Sequence, residues 1–128
     1  MRTLAILTTV FVFLSSYAYA EDDRDLLSGN ALLPYCKAGI DGGVSGGNNG
    51  QAVYSGICAG IIIGVSSAMR YNAKTNVNSL LCAHIPVEAS NGQLARVVIR
   101  YMETHPKELH EPLTTLAALA LKDAWTCK

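Results

Sequence analysis

Four cysteines are the side chains in this sequence with the most definite chemistry: Cys36, Cys58, Cys82 and Cys127. Three histidines, His84, His105 and His110, are the only imidazoles, and Glu103 and Glu108 are the nearest thing to a carboxylate pair. A catalytic thiol needs a thiolate beside a base, and Cys82, two residues from His84, is the best such pairing. Parity argues against it, because one free nucleophile leaves one of the other three cysteines unpaired. A zinc site on a helix needs imidazoles about four residues apart, a spacing absent here, and Pro106 separates His105 from His110. Glu103 and Glu108 flank a helix end at Pro106, where solvation is the simpler role. No G-x-S-x-G elbow occurs, and the glycine-rich residues 39–50 lack the Gly-Lys-Ser/Thr ending of a phosphate loop. The expectation is a protein without a catalytic site, metal or cofactor.

What the cysteines do depends on the compartment. Residues 1–20 have the plan of an export signal: basic Arg2, an apolar run from Leu4 to Leu14, then the small-residue site Ala18-Tyr19-Ala20. The run is too short to span a bilayer, which takes about 20 apolar residues, and the acidic Glu21, Asp22 and Asp23 follow at once. Cleavage after Ala20 leaves residues 21–128 as a single domain. All four cysteines then lie in an oxidising compartment and two disulfides are expected. Four cysteines allow three connectivities, which sequence does not separate. The favoured one is Cys36 with Cys58, joining the first helix to the central one across the glycine loop, and Cys82 with Cys127, joining the middle loop to the chain end.

Arg2 aside, nine basic residues face ten acidic ones. They are scattered, so no basic stripe awaits nucleic acid phosphates or an anionic membrane.

The elements that position these residues are helical. Residues 28–37 read as a short helix capped by Ser28 or Asn30, with Pro34 near its first turn. Residues 39–50 are half glycine and read as a mobile loop. Residues 51–71 form the strongest element, with Val53, Tyr54, Ile57, Cys58, Ile61, Ile62, Val65 and Met69 at three- and four-residue steps. Its small residues Gly56, Ala59, Gly60, Gly64, Ser67 and Ala68 admit a close neighbouring helix, from the same chain or a second subunit. Tyr54, Ser55, Ser66, Ser67 and a cysteine needing a partner argue against a membrane helix. Residues 72–89 read as an ordered loop. Ser90 and Gln93 form a capping box for a helix whose inner face is Leu94, Val97, Val98, Tyr101 and Met102, stopped by Pro106. A last helix over residues 111–125 buries Leu113, Leu116, Ala117, Ala120, Leu121 and Ala124. The class is all-α: a small disulfide-stapled bundle of about four helices.

In order along the chain stand Ser28-Gly29-Asn30 leading through Leu32-Leu33 to Cys36, then Cys58-Ala59-Gly60. Cys82 with Ile85-Pro86 follows, then Gln93-Leu94, Tyr101 through His105-Pro106 to His110, and Trp125-Thr126-Cys127. In this the sequence resembles the Rap/Tai family of type VI secretion amidase immunity proteins, over nearly all of residues 21–128. Ala31, where family members often carry an acid, and the long glycine loop depart from the pattern. The resemblance implies a non-catalytic periplasmic protein, often a homodimer, that binds and blocks a peptidoglycan amidase effector. Inhibition would then use a loop that enters the toxin's cleft, and residues 71–79 are the candidate, with Tyr71 as anchor and Lys74, Asn76, Asn78 and Ser79 as donors and acceptors. The competing function from another class is a periplasmic acid-stress-type chaperone.

Overall fold

The computed structural model describes residues 23–40 and 49–127, so the expected export signal and most of the glycine loop lie outside the described residues. Within them the chain forms a single helical turn, Asp23–Leu26, and four helices. These are α1 (Gly29–Ile40), α2 (Asn49–Thr75), α3 (Asn91–Thr104) and α4 (Leu113–Ala124), with a 3-10 turn, Pro106–Glu108, between the last two. Two isolated bridges, Ser28 with Pro112 and Ala83 with Thr126, are the sole β pairing among the described residues. The all-α expectation holds.

α2 is the helix on which the others pack; it meets α1, α3 and α4. Its buried line is Ser55, Cys58, Ile62, Ser66 and Met69, steps of three and four that follow one helical stripe. This corrects the face expected from hydrophobicity alone. Val53 is exposed, while Tyr54, Ile57, Ile61 and Val65 are only half-buried at the margins. Two serines occupy the stripe because their hydroxyls find acceptors without water: Ser55 donates to the Tyr35 carbonyl at 2.9 Å and Ser66 to the Ile63 carbonyl at 2.8 Å. By length and composition α2 is long and apolar enough to cross a bilayer, and only 28% of its most apolar window is buried within the chain. Its inner stripe is nonetheless tied into a core with Leu32, Leu94, Val98, Met102, Leu116 and Leu121.

α2 also continues beyond residue 71 to Thr75, through a polar stretch that reads as loop. The last turn is exposed, so polar side chains cost nothing there. They also tie down backbone carbonyls: Asn72 Nδ2 donates to Ala68 O at 3.1 Å and Thr75 Oγ1 to Tyr71 O at 3.0 Å. Lys74 adds a positive charge at the negative end of the helix.

α1 is capped by Ser28, whose Oγ accepts from Ala31 N at 3.3 Å. It runs three residues further than expected, so Pro34 sits inside it, where it removes one helical hydrogen bond, rather than in its first turn. Its leading amides are satisfied from afar: Gly29 N donates to Glu111 O at 3.0 Å and Asn30 N to Leu109 O at 2.8 Å. Leu113 N donates back to Leu27 O at 2.8 Å. The start of α1 is thereby sewn to the start of α4, so closely that a side chain at Gly29 would force its neighbours to shift. A β-carbon at Gly29 would stand 2.4 Å from Leu116 Cδ1 and 3.1 Å from the Leu109 carbonyl oxygen.

α3 is capped by Ser90, whose Oγ accepts from Gln93 N at 3.2 Å, and it buries Leu94, Val98, Ile99 and Met102. Ile99 joins this face although it was not expected there, and Val97 is half-buried. α4 buries Leu113, Leu116, Ala117, Ala120 and Leu121, whereas Ala124 is exposed because the chain leaves the helix at Trp125. Both disulfides pair as favoured, Cys36 with Cys58 and Cys82 with Cys127, at Cα separations of 5.5 and 5.8 Å. They close segments of 22 and 45 residues, for which chain entropy gives about 3 and about 4 kcal/mol.

Where α3 ends, Tyr101 Oη donates to Glu108 Oε2 at 2.9 Å and the ring stacks on His105 with centroids 4.0 Å apart. Partial burial, then the hydrogen bond to Glu108 and the negative charges of Glu108 and Asp123, push the phenol up to about 12.

Two outcomes follow. Gly29→Ala forces Leu116, which is fully buried, and the Leu109 backbone to move, and should lower unfolding free energy by roughly 1–3 kcal/mol in a denaturant titration. Because the folded Tyr101 holds its proton more tightly than the unfolded one, its contribution is fully present below pH 10, the ordinary tyrosine value, and is lost as pH rises through about 12. Tyr101→Phe should therefore flatten the fall of melting temperature across that alkaline range, which thermal unfolding at a series of pH values will read.

Candidate interaction face

The residues singled out as enzymatic candidates are engaged elsewhere. Cys82 is buried in its disulfide, and no free cysteine is found among the described residues. Glu103 pairs with Lys37 at 2.6 Å across α1 and α3, and Glu108 accepts from Tyr101. His105 Nδ1 lies 2.9 Å from the Tyr101 carbonyl oxygen, and His110 Nε2 lies 3.4 Å from Glu111. No group of three or more His, Cys, Asp or Glu positioned to hold a metal occurs among the described residues.

The surface is uneven in a different way. Of the ten large apolar side chains exposed among the described residues, five fall within residues 71–87: Tyr71, Val77, Leu80, Leu81 and Val87. A sixth, Leu119 on α4, lines a hollow with Leu80 and Leu81. Leu80 and Val87 are 82% and 85% exposed, so nothing within the described chain covers them. Exposed apolar side chains such as these make the segment a candidate for contact with another molecule.

This face is built on the end of α2 and a connection that has no regular structure but is pinned throughout. Asn76 N donates to Asn72 O at 2.7 Å, Ser79 N to Asn76 O at 3.0 Å and Cys82 N to Ser79 O at 3.1 Å, giving consecutive turns. Ser79 Oγ accepts from Leu81 N at 3.1 Å. Immediately after, the Cys82–Cys127 bond and the 2.8 Å hydrogen bond from His84 N to Trp125 O clamp the connection to the chain end. From the other side Arg70 reaches across, its Nη2 donating to Pro86 O at 3.0 Å and Ala89 O at 3.4 Å. Arg70 Nε is buried without a hydrogen-bond partner among the described residues. That arrangement makes the guanidinium a structural tie, and it forms no ion pair among the described residues.

Of the polar residues expected to make contacts, Tyr71 and Lys74 lie on the last turns of α2 rather than on a loop. Asn76, Asn78 and Ser79 lie in the turns that follow, with Ser79 half-buried and committed to Leu81 N. The structure brings them onto one continuous surface segment. Sequence reasoning passed over Val77, Leu80, Leu81, Val87 and Leu119. Leu80 and Leu81 fall in a stretch that reads as an ordered loop, and nothing in residue order distinguishes them, both exposed, from the buried Cys82 and Ala83 that follow.

A second exposed surface runs along α2. β-carbons built at Gly56, Gly60 and Gly64 meet nothing within 4 Å, so no other helix among the described residues rests on that small-residue strip. Val53, Ile63 and Tyr71, all exposed, lie on the same helix.

No curated protein and no solved structure gives a significant match to this chain. The sequence model of the Rap1a immunity proteins matches residues 28–127. That span runs from the Ser28 cap of the first helix to the last cysteine of the terminal staple, and on it the chain belongs to the Rap1a immunity protein family.

Proposed function

We propose that this chain is an antitoxin: exported by residues 1–20 to the periplasm, it binds and blocks a peptidoglycan amidase delivered by a type VI secretion system, protecting the cell from itself and its sisters. The observation that carries the proposal, beyond family membership, is the apolar cluster around a clamped connection at residues 71–87. A stoichiometric inhibitor gains from such a face. Pinned by hydrogen bonds and a disulfide, it loses little conformational freedom on binding, and exposed Val77, Leu80 and Leu81 supply the area that water releases. Tyr71, Lys74, Asn76, Asn78 and Ser79 surround them with polar groups, which orient the partner. The inhibitor performs no chemistry in this account; it occludes the catalytic cysteine and histidine of the amidase.

The same account makes the functional form a homodimer built on the glycine strip of α2. Glycine at positions 56, 60 and 64 lets two helix backbones approach, and Val53 and Ile63 are covered in the same contact.

Co-expression in the periplasm with the amidase encoded beside this chain should prevent lysis. Leu80→Asp, and separately Lys74→Ala with Asn76→Ala, should weaken the complex by about tenfold or more in calorimetry while leaving melting temperature unchanged, since these side chains are exposed. Undiminished lysis at equal expression, together with suppression of aggregation of unrelated proteins at low pH, would replace this account with an acid-stress chaperone. For the dimer, Gly60→Leu has room in the isolated chain and improves helix propensity, so sedimentation should show monomers of normal or raised stability. An unaltered dimer would move the interface elsewhere.

A further inference from the structure

Beside the apolar cluster, on the other side of Cys82, lies a hollow of about 400 Å3 between the end of α2 and residues 83–87. The α2 side contributes Arg70 and Lys74, and the 83–87 side contributes the apolar Ile85, Pro86 and Val87 together with His84. No aspartate or glutamate is among the described residues that line it. Neither Arg70 nor Lys74 makes an ion pair among the described residues, whereas Lys37, which lines a different hollow, has Glu103. Cations gathered without counter-charge raise the local positive potential, and an apolar wall beside them lowers the dielectric in which an incoming anion is felt.

We propose that this hollow is the specificity socket of the interface, taking a glutamate or aspartate flanked by an aliphatic residue from an exposed segment of the partner protein. The assignment of the partner rests on the immunity function above; the chemistry of the socket does not. Arg70 has Nη2 committed to the Pro86 and Ala89 carbonyls, so it is held in place before anything binds and contributes charge without reorganisation. Lys74 is exposed and without an ion pair, and the ring of His84 is exposed while its backbone is fixed to Trp125. A bare inorganic anion would leave Ile85, Pro86 and Val87 facing water. A carboxylate with an aliphatic neighbour satisfies both walls, and a volume near the small end of ligand pockets, roughly 300–1,000 Å3, suits one or two side chains.

The test uses the isotope-labelled chain and a capped peptide, acetyl-Gly-Leu-Glu-Leu-Gly-amide, followed by amide chemical shifts. Saturable shifts at Lys74, His84 and Val87 are expected, with the glutamine counterpart weaker by about fivefold, the scale of one partly exposed charge pair. Lys74→Glu, an exposed change that keeps the fold, should abolish them; Arg70→Gln serves as a second variant, read only if its spectrum is otherwise unchanged. Equal binding of the two peptides, shifts confined to other regions, or stronger displacement by inorganic phosphate than by peptide overturns the proposal. If the peptide shifts the hollow but the chain fails to protect cells from the amidase, the socket stands and the amidase loses its place as partner. Protection with no shift at the hollow overturns the socket alone.

Discussion

Burial of a single stripe of α2 is the constraint on which the molecule is organised. Cys58, Ile62 and Met69 on that stripe are 2%, 1% and 0% exposed, and the helices before and after α2 are arranged to cover them. Because the stripe is narrow and the helix is 27 residues long, most of its circumference is left uncovered by the other described residues. A small domain has too little material to surround a long central helix and still close a core. The exposed glycine strip and the uncovered last turns are thus consequences of one packing decision, and both candidate contact surfaces derive from it.

The two disulfides divide the remaining work. Cys36–Cys58 joins neighbours that already pack, α1 and α2, and reinforces an existing helix pair. Cys82–Cys127 does something the helices do not: it attaches a stretch with no regular hydrogen bonding, residues 76–89, to the end of the chain just past α4. With His84 N bonded to Trp125 O and Arg70 holding the Pro86 and Ala89 carbonyls, an irregular segment acquires fixed geometry. A rigid platform that presents apolar side chains to water is unfavourable for an isolated monomer and favourable for a binding protein, since the ordering cost is met during folding rather than at the interface.

The absence of visible chemistry in the described residues fits that division. Several of the groups capable of acid–base or nucleophilic work are engaged in holding the fold: cysteines in cross-links, Glu103 with Lys37, Glu108 with Tyr101. On either side of Cys82 in the sequence the described surface carries exposed apolar side chains and the cations Arg70 and Lys74. Membership of the Rap1a immunity protein family accords with this distribution.

Helix number, the Ser90 cap, the end of α3 before Pro106 and the expectation of two disulfides were legible from residue order, because they depend on local periodicity, capping and the parity of thiols, whereas the connectivity and the choice of Ser28 over Asn30 as cap were decided by the fold. The ordered resemblance of short motifs also named the family. What neighbours in space decide was not legible. Ser55 and Ser66 enter the core because a carbonyl lies in reach, and Val53 stays outside because nothing covers it. Gly29 is crowded by Leu116 and Leu109, far along the chain, and Leu80 and Leu81 are outward because no element among the described residues covers them. A hydrophobic side chain carries its preference for burial in its own structure, but which side chains achieve burial is settled by the few surfaces that other elements bring against them.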